Sequence, residues 1–132
     1  MLTYVTETRK GQAAMAAAQN HLHGAAPLKL SHRISAAGEA VVVIDGELDI
    51  ATTDLAVSYV KQVIDQHRGP VIADLAALSF CDAQGLSALL RMTGHAHRAG
   101  CSFQLASPSP ALVKILRITG LDRRFPTSRR PT

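Results

Sequence analysis

The run Val41-Val42-Val43-Ile44 constrains the fold of this chain more than any other feature. Four consecutive β-branched residues leave no polar face, so a strand built from them must be covered on both sides. Helices supply such cover, and a helical pattern follows at once. Leu55, Tyr59, Val60, Val63 and Ile64 recur at helical spacing behind a Thr52-Thr53 pair that can cap a helix start. His67-Arg68-Gly69-Pro70 stops that helix, and Val71-Ile72-Ala73-Asp74-Leu75 is a second short buried strand.

The same alternation extends in both directions. Upstream, Leu28, Leu30, His32 and Ile34 alternate with Lys29, Ser31 and Arg33, the period-two pattern of a half-buried strand. Ala36-Ala37-Gly38-Glu39 turns the chain into the Val41 run, which Gly46 and Asp49 end. Downstream, after a loop around Cys81-Asp82, Leu86, Leu89, Leu90 and Thr93 mark a second helix that closes at Arg98-Ala99-Gly100. Cys101, Phe103 and Leu105 alternate as a further strand. The last helix has Ser109 as N-cap, Pro110 at its first position, and Leu112, Ile115 and Leu116 as its buried stripe. Gly120 suits its left-handed C-cap, with Leu121 folding back on the final turn.

The predicted order is ββαβαβα. It implies an α/β fold with a four- to five-stranded, mostly parallel mixed sheet and helices packed on it. We place this domain at residues 28–126. Residues 1–27 read as an N-terminal extension, Ala-rich over Gly11–His21 and without a bulky apolar stripe. Residues 127–132 read as a basic tail.

Charge narrows the function classes. Residues 28–121 hold eight basic and eight acidic side chains, so the net charge of +4 comes from the flanks. A nucleic-acid binder usually carries its basic excess on the folded body, and this pattern argues against one. No apolar run reaches the roughly 20 residues of a membrane span, and no secretory leader is evident. A cytoplasmic protein without membrane insertion is expected. Cys81 and Cys101 are too few for a disulfide scaffold or a zinc site and read as reduced, partly buried thiols at opposite ends of the sheet.

Catalytic signatures are missing. Neither phosphate-binding glycine loop nor nucleophile elbow occurs. The six histidines do not converge; His95 and His97 are two apart and face different ways on a helix. No catalytic residue, metal ligand or cofactor site is expected, and the reading is non-enzymatic. What stands out is Asp82-Ala83-Gln84-Gly85-Leu86, where an apolar strand meets an amphipathic helix. Asp82 can cap the helix. Gly85 costs helix propensity, which either a close partner backbone or a tight strand-to-helix bend would explain.

Asp74–Leu90 resembles the signature of STAS domains of the anti-sigma factor antagonist type, an apolar strand followed by Asp-Ser-Ser/Thr-Gly-Leu. Gly46-Glu47-Leu48-Asp49 and Thr119-Gly120-Leu121-Asp122 agree with the same family. The resemblance covers about residues 28–126 and implies the STAS fold, with no cofactor. Its implied partner is an anti-sigma factor of the serine-kinase type, which the domain binds to release a sigma factor. Contact would centre on Asp82, Ala83, Gln84 and an exposed Gly85, with Asp49 at the edge. The family's kinase phosphorylates the Ser after the motif Asp, and here that position is Ala83, with Gln84 next. The phosphosite is degenerate. Two other roles fit the resemblance, a STAS subunit bracing a transporter ATPase and a scaffold member of a signalling assembly. A homodimer is compatible with each.

Overall fold

The computed structural model describes Leu2–Thr3 and residues 28–128. The Val41–Ile44 run lies inside a nine-residue strand, β3 (Ala40–Leu48), at the centre of the sheet. Val41, Val42 and Ile44 are buried, as a strand covered on both faces requires. On one side β2 (Lys29–Ile34) pairs with it antiparallel, and on the other β4 (Val71–Asp74) pairs parallel. Next to β4 lies β6 (Phe103–Ala106), again parallel. Two-residue strands extend both edges, β1 (Leu2–Thr3) on β2 and β7 (Thr127–Ser128) on β6. Each lies in a segment assigned above to a flank.

Gly46 does not end β3. The strand continues to Leu48 because Gly46 takes φ +122°, and the pairing shifts by one residue between Gly46 and Glu47. Its partner there is β5 (Leu78–Cys81), parallel to β3 and off the main strand order. The sequence reading expected a loop at these residues. Only Leu78 of the four is buried, so the segment carries no alternating signal of its own; the pairing with β3 makes it a strand.

Three helices cover the sheet: α1 (Thr53–His67), α2 (Ala83–Arg98) and α3 (Pro110–Thr119). They seal a core that is mostly aliphatic, including Leu28, Leu30, Leu48, Ile64, Leu75, Leu89 and Leu105. Phe125 is also fully enclosed, a residue the sequence reading passed over. It follows a short 3-10 turn at Leu121–Arg123 and delivers the chain to β7, where the Leu105 N–H donates to the Pro126 carbonyl at 3.0 Å. Between helices, His95 Nε2 meets Asp65 Oδ1 at 2.8 Å and Arg91 reaches Asp54 at 3.5 Å.

Three local expectations need correction. Thr52 flanks α1, but its hydroxyl donates to the Glu47 carbonyl at 2.8 Å and leaves the helix uncapped by a side chain. Ile34 is exposed, because with His32 it borders an open cleft beside Val63, Gln66 and His67 near the end of α1. Ile115 is also outside the core. Leu112 and Leu116, one turn apart, make the buried stripe of α3, while Ile115 borders a groove.

Candidate functional site

The predicted cap at Asp82 forms. Its backbone is extended, and its Oδ1 accepts the Gly85 N–H at 3.0 Å, satisfying one of the free donors at the start of α2. The Leu86 N–H then donates to the Asp82 carbonyl at 2.9 Å and begins the helical ladder. Ala83 and Gln84 are exposed beside the cap.

Gly85 is buried, which overturns the expectation that it is exposed and admits a partner's backbone. A Cβ built on it would stand 2.4 Å from the Leu48 carbonyl oxygen and 2.8 Å from Cys81 Sγ. The glycine is there so that α2 can pass against the end of β3. Of the two explanations left open above, the tight strand-to-helix bend is the one observed, since the crowding atoms belong to β3 and β5 of the same chain. Gly85 therefore holds the site from beneath and is not on its surface.

The β3–β5 pairing sets the neighbours of Asp82. Leu48 pairs with Cys81, so Asp49 and Asp82, the next residue on each strand, leave the sheet at the same level. Asp49 shapes its own turn. Its Oδ1 accepts the Ala51 N–H at 3.0 Å, its N–H donates to Thr52 Oγ1 at 3.0 Å, and its carbonyl accepts the Thr52 and Thr53 N–H groups. That turn leaves Ile50 71% exposed. On β5, Phe80 points outward and is 48% exposed. Sequence reasoning missed both. A lone Ile in a polar turn was a faint signal, whereas Phe80 gave none until β5 was seen to pair.

Between β5 and the start of α3 lies a groove of about 220 Å³, bordered by Leu78, Phe80, Cys81, Ala111 and Ile115. Both cysteines are free. Burial, helped by the neighbouring Asp82 carboxylate, pushes the Cys81 thiol up to about 11, so at neutral pH it is a protonated, poorly nucleophilic group. Among the described residues no three His, Cys, Asp or Glu side chains are placed to hold a metal. No described helix is long and apolar enough to cross a membrane.

A family model for the STAS domain matches residues 31–131. The chain belongs to the STAS domain family. Solved structures agree with it in fold. An anti-sigma factor antagonist from Mycobacterium paratuberculosis is 25% identical with a TM-score of 0.68, over 82% of this chain and 91% of that one. The phosphorylated Bacillus cell-fate determinant SpoIIAA is 21% identical with a TM-score of 0.58, over 75% of this chain and 90% of that one. The murine anion transporter Slc26a9 also matches in fold, 19% identical with a TM-score of 0.55, over 69% of this chain but 16% of the transporter. No protein of curated function matches. In this STAS domain the motif positions Asp82 to Gly85 divide into an exposed pair, Ala83 and Gln84, a half-buried cap and a buried spacer.

Proposed function

We propose that this STAS domain is an anti-sigma factor antagonist, binding a serine-kinase anti-sigma factor in the cytoplasm and thereby releasing a sigma factor. One observation carries the reading. The end of β3 and the start of α2 are locked together through Gly85, and they present Ala83 and Gln84 beside Asp82 with Ile50 and Phe80 exposed nearby. Apolar side chains at a rigid, partly acidic rim suit a protein partner better than a small substrate. The 25% identity to a structure described as an anti-sigma factor antagonist supports the same assignment.

Asp82, Ala83, Gln84 and Asp49 would form the contact, with Asp82 and Asp49 chiefly shaping the backbone. Ala83 has no hydroxyl to phosphorylate, so the domain would stay competent to bind in the presence of kinase and ATP. It would act by binding alone, without catalysis.

The test is reconstitution of the full chain with a serine-kinase anti-sigma factor already bound to its sigma factor. Sigma factor should leave the complex on gel filtration, and added ATP should neither reverse this nor place phosphate on the chain. Ala83→Glu introduces a charge at an exposed position and should abolish release while the circular dichroism stays unchanged. Stable complexes of Ala83→Glu, or stoichiometric phosphate at Ser79 or Ser87, would overturn the assigned surface or the assigned regulation. A second reading, a STAS subunit bracing a transporter ATPase, has the fold match to the transporter domain behind it. It requires association with transporter subunits that survives Ala83→Glu.

A further inference from the structure

The charge of this chain is segregated. Residues 110–132 carry six Lys or Arg and one Asp, a net +5, and the preceding 109 residues carry eight basic and nine acidic side chains, a net −1. Four of the six cations lie in described structure: Lys114 and Arg117 on α3, and Arg123 and Arg124 in the turn that follows. All four are exposed, and the two ion pairs among the described residues, Arg91–Asp54 and His95–Asp65, leave every one of them without a carboxylate. Among these cations stands Ile118, 73% exposed, with Ile115 at 38% one turn back on the same helix. An aliphatic side chain held in water is unfavourable relative to burial. Uncompensated like charges around it add repulsion.

We propose that the α3–Arg124 face is a peripheral docking surface for an anionic lipid bilayer. Charge complementarity chooses the occupant. Four to eight Lys or Arg on one amphipathic element attract anionic headgroups over a Debye length, and an exposed aliphatic residue among them can enter the headgroup boundary. Long, separately mobile cationic side chains suit the diffuse charge of lipids, which needs no fixed partner geometry. Arg129 and Arg130 add two further charges directly after β7. Ile115 also borders the groove beside Phe80 and Cys81, but Lys114, Arg117, Ile118, Arg123 and Arg124 do not line it, and the proposal stands whether or not the antagonist reading does.

The test uses the full chain and flotation with two kinds of vesicle, phosphatidylcholine alone and phosphatidylcholine with about one-third phosphatidylglycerol. At about 0.1 M salt the protein should float with the anionic vesicles only, and at about 1 M salt it should be released. Lys114→Glu with Arg117→Glu should lower partitioning about tenfold or more. Ile118→Gln should lower it severalfold at unchanged charge. Lys61→Glu with Arg98→Glu, on α1 and α2, makes the same net charge change and should stay within about twofold. If a reversed variant unfolds by circular dichroism, Lys114→Ala with Arg117→Ala replaces it. Absence of flotation, equal flotation with both vesicles, or equal loss in the Lys61/Arg98 control would overturn the proposal. The first of these, together with an acidic protein that elutes with the wild type but not with the reversed variant, would assign the face to that protein instead.

Discussion

Gly120 and Gly85 both occupy helix ends, yet they answer different demands. Gly120 closes α3 at φ +74°, in the left-handed region, and a Cβ there would meet nothing within 4 Å. Gly85 lies in the first turn of α2, where a Cβ would run into the Leu48 carbonyl oxygen and Cys81 Sγ. One glycine supplies a backbone conformation, the other supplies space. The first requirement is local and common to many helices. The second exists because β3, β5 and α2 meet at one point, the point that displays Ala83 and Gln84.

The comparison breaks most directly at Gly85. Gly85→Ala should destabilise the chain by about 2–4 kcal/mol, since the obstructing atom at 2.4 Å is backbone and cannot rotate away. The roughly 1 kcal/mol of helix propensity that Ala gains over Gly is too small to offset this. Urea midpoints with an unchanged slope would measure it. An unaltered midpoint would mean that the end of β3 moves aside freely, and the rigid display of the site would lose its basis. Gly85→Arg should prevent folding altogether, so it cannot serve as a probe of binding.

Smaller effects are expected from the two caps and from Gly120. Asp82→Ala and Ser109→Ala each remove one side-chain acceptor, at 3.0 Å from the Gly85 N–H and 3.1 Å from the Leu112 N–H. Each should cost about 1 kcal/mol. Gly120→Ala should cost about the same through strain alone, and Gly120→Asn less, because Asn tolerates the left-handed region. If Gly120→Ala proved as damaging as Gly85→Ala, the C-cap would be sterically confined too, and the contrast between the glycines would vanish.

The caps and the C-terminal glycine were legible in the sequence because they act within four residues of themselves. Ser109, Pro110 and Gly120 take the roles their chemistry suggests, and so does Asp82. The Val41 run likewise declared a strand covered on both faces. What stayed hidden depended on partners far along the chain. Residues 78–81 became a strand by pairing with residues 46–48, and Gly46 carried β3 onward because a bulge there gave it a partner. Thr52 lost its capping role to a carbonyl five residues back. Of the two side chains that complete the candidate surface, Phe80 lies on a strand that exists through its pairing with β3, and Ile50 is exposed by the Asp49 turn. Asp82, Ala83 and Gln84 were found by motif, and Gly85 was found but misplaced, since a glycine's purpose cannot be read without the atoms facing it.

The last test, silent at neutral pH, concerns the other atom pressed toward Gly85. Cys81 Sγ sits 2.8 Å from where that Cβ would be, and its thiol is raised from 9.0 to about 11, first by burial and second by the Asp82 carboxylate. Below pH 9 the thiol is protonated in both the folded and the unfolded chain and contributes no pH dependence. From pH 9 to 11 the unfolded chain releases its proton while the folded chain keeps it, so stability falls as pH rises through that window. Above 11 both states are ionised and the loss is complete. Cys81→Ala should therefore flatten the alkaline fall in the urea midpoint while leaving the neutral-pH slope unchanged. Native protein at pH 9 should also alkylate at Cys81 more slowly than the urea-unfolded chain. An alkaline fall that persists unchanged in Cys81→Ala would show that the thiol is freely solvated. In that case the contact beneath α2 would be looser than Gly85 requires.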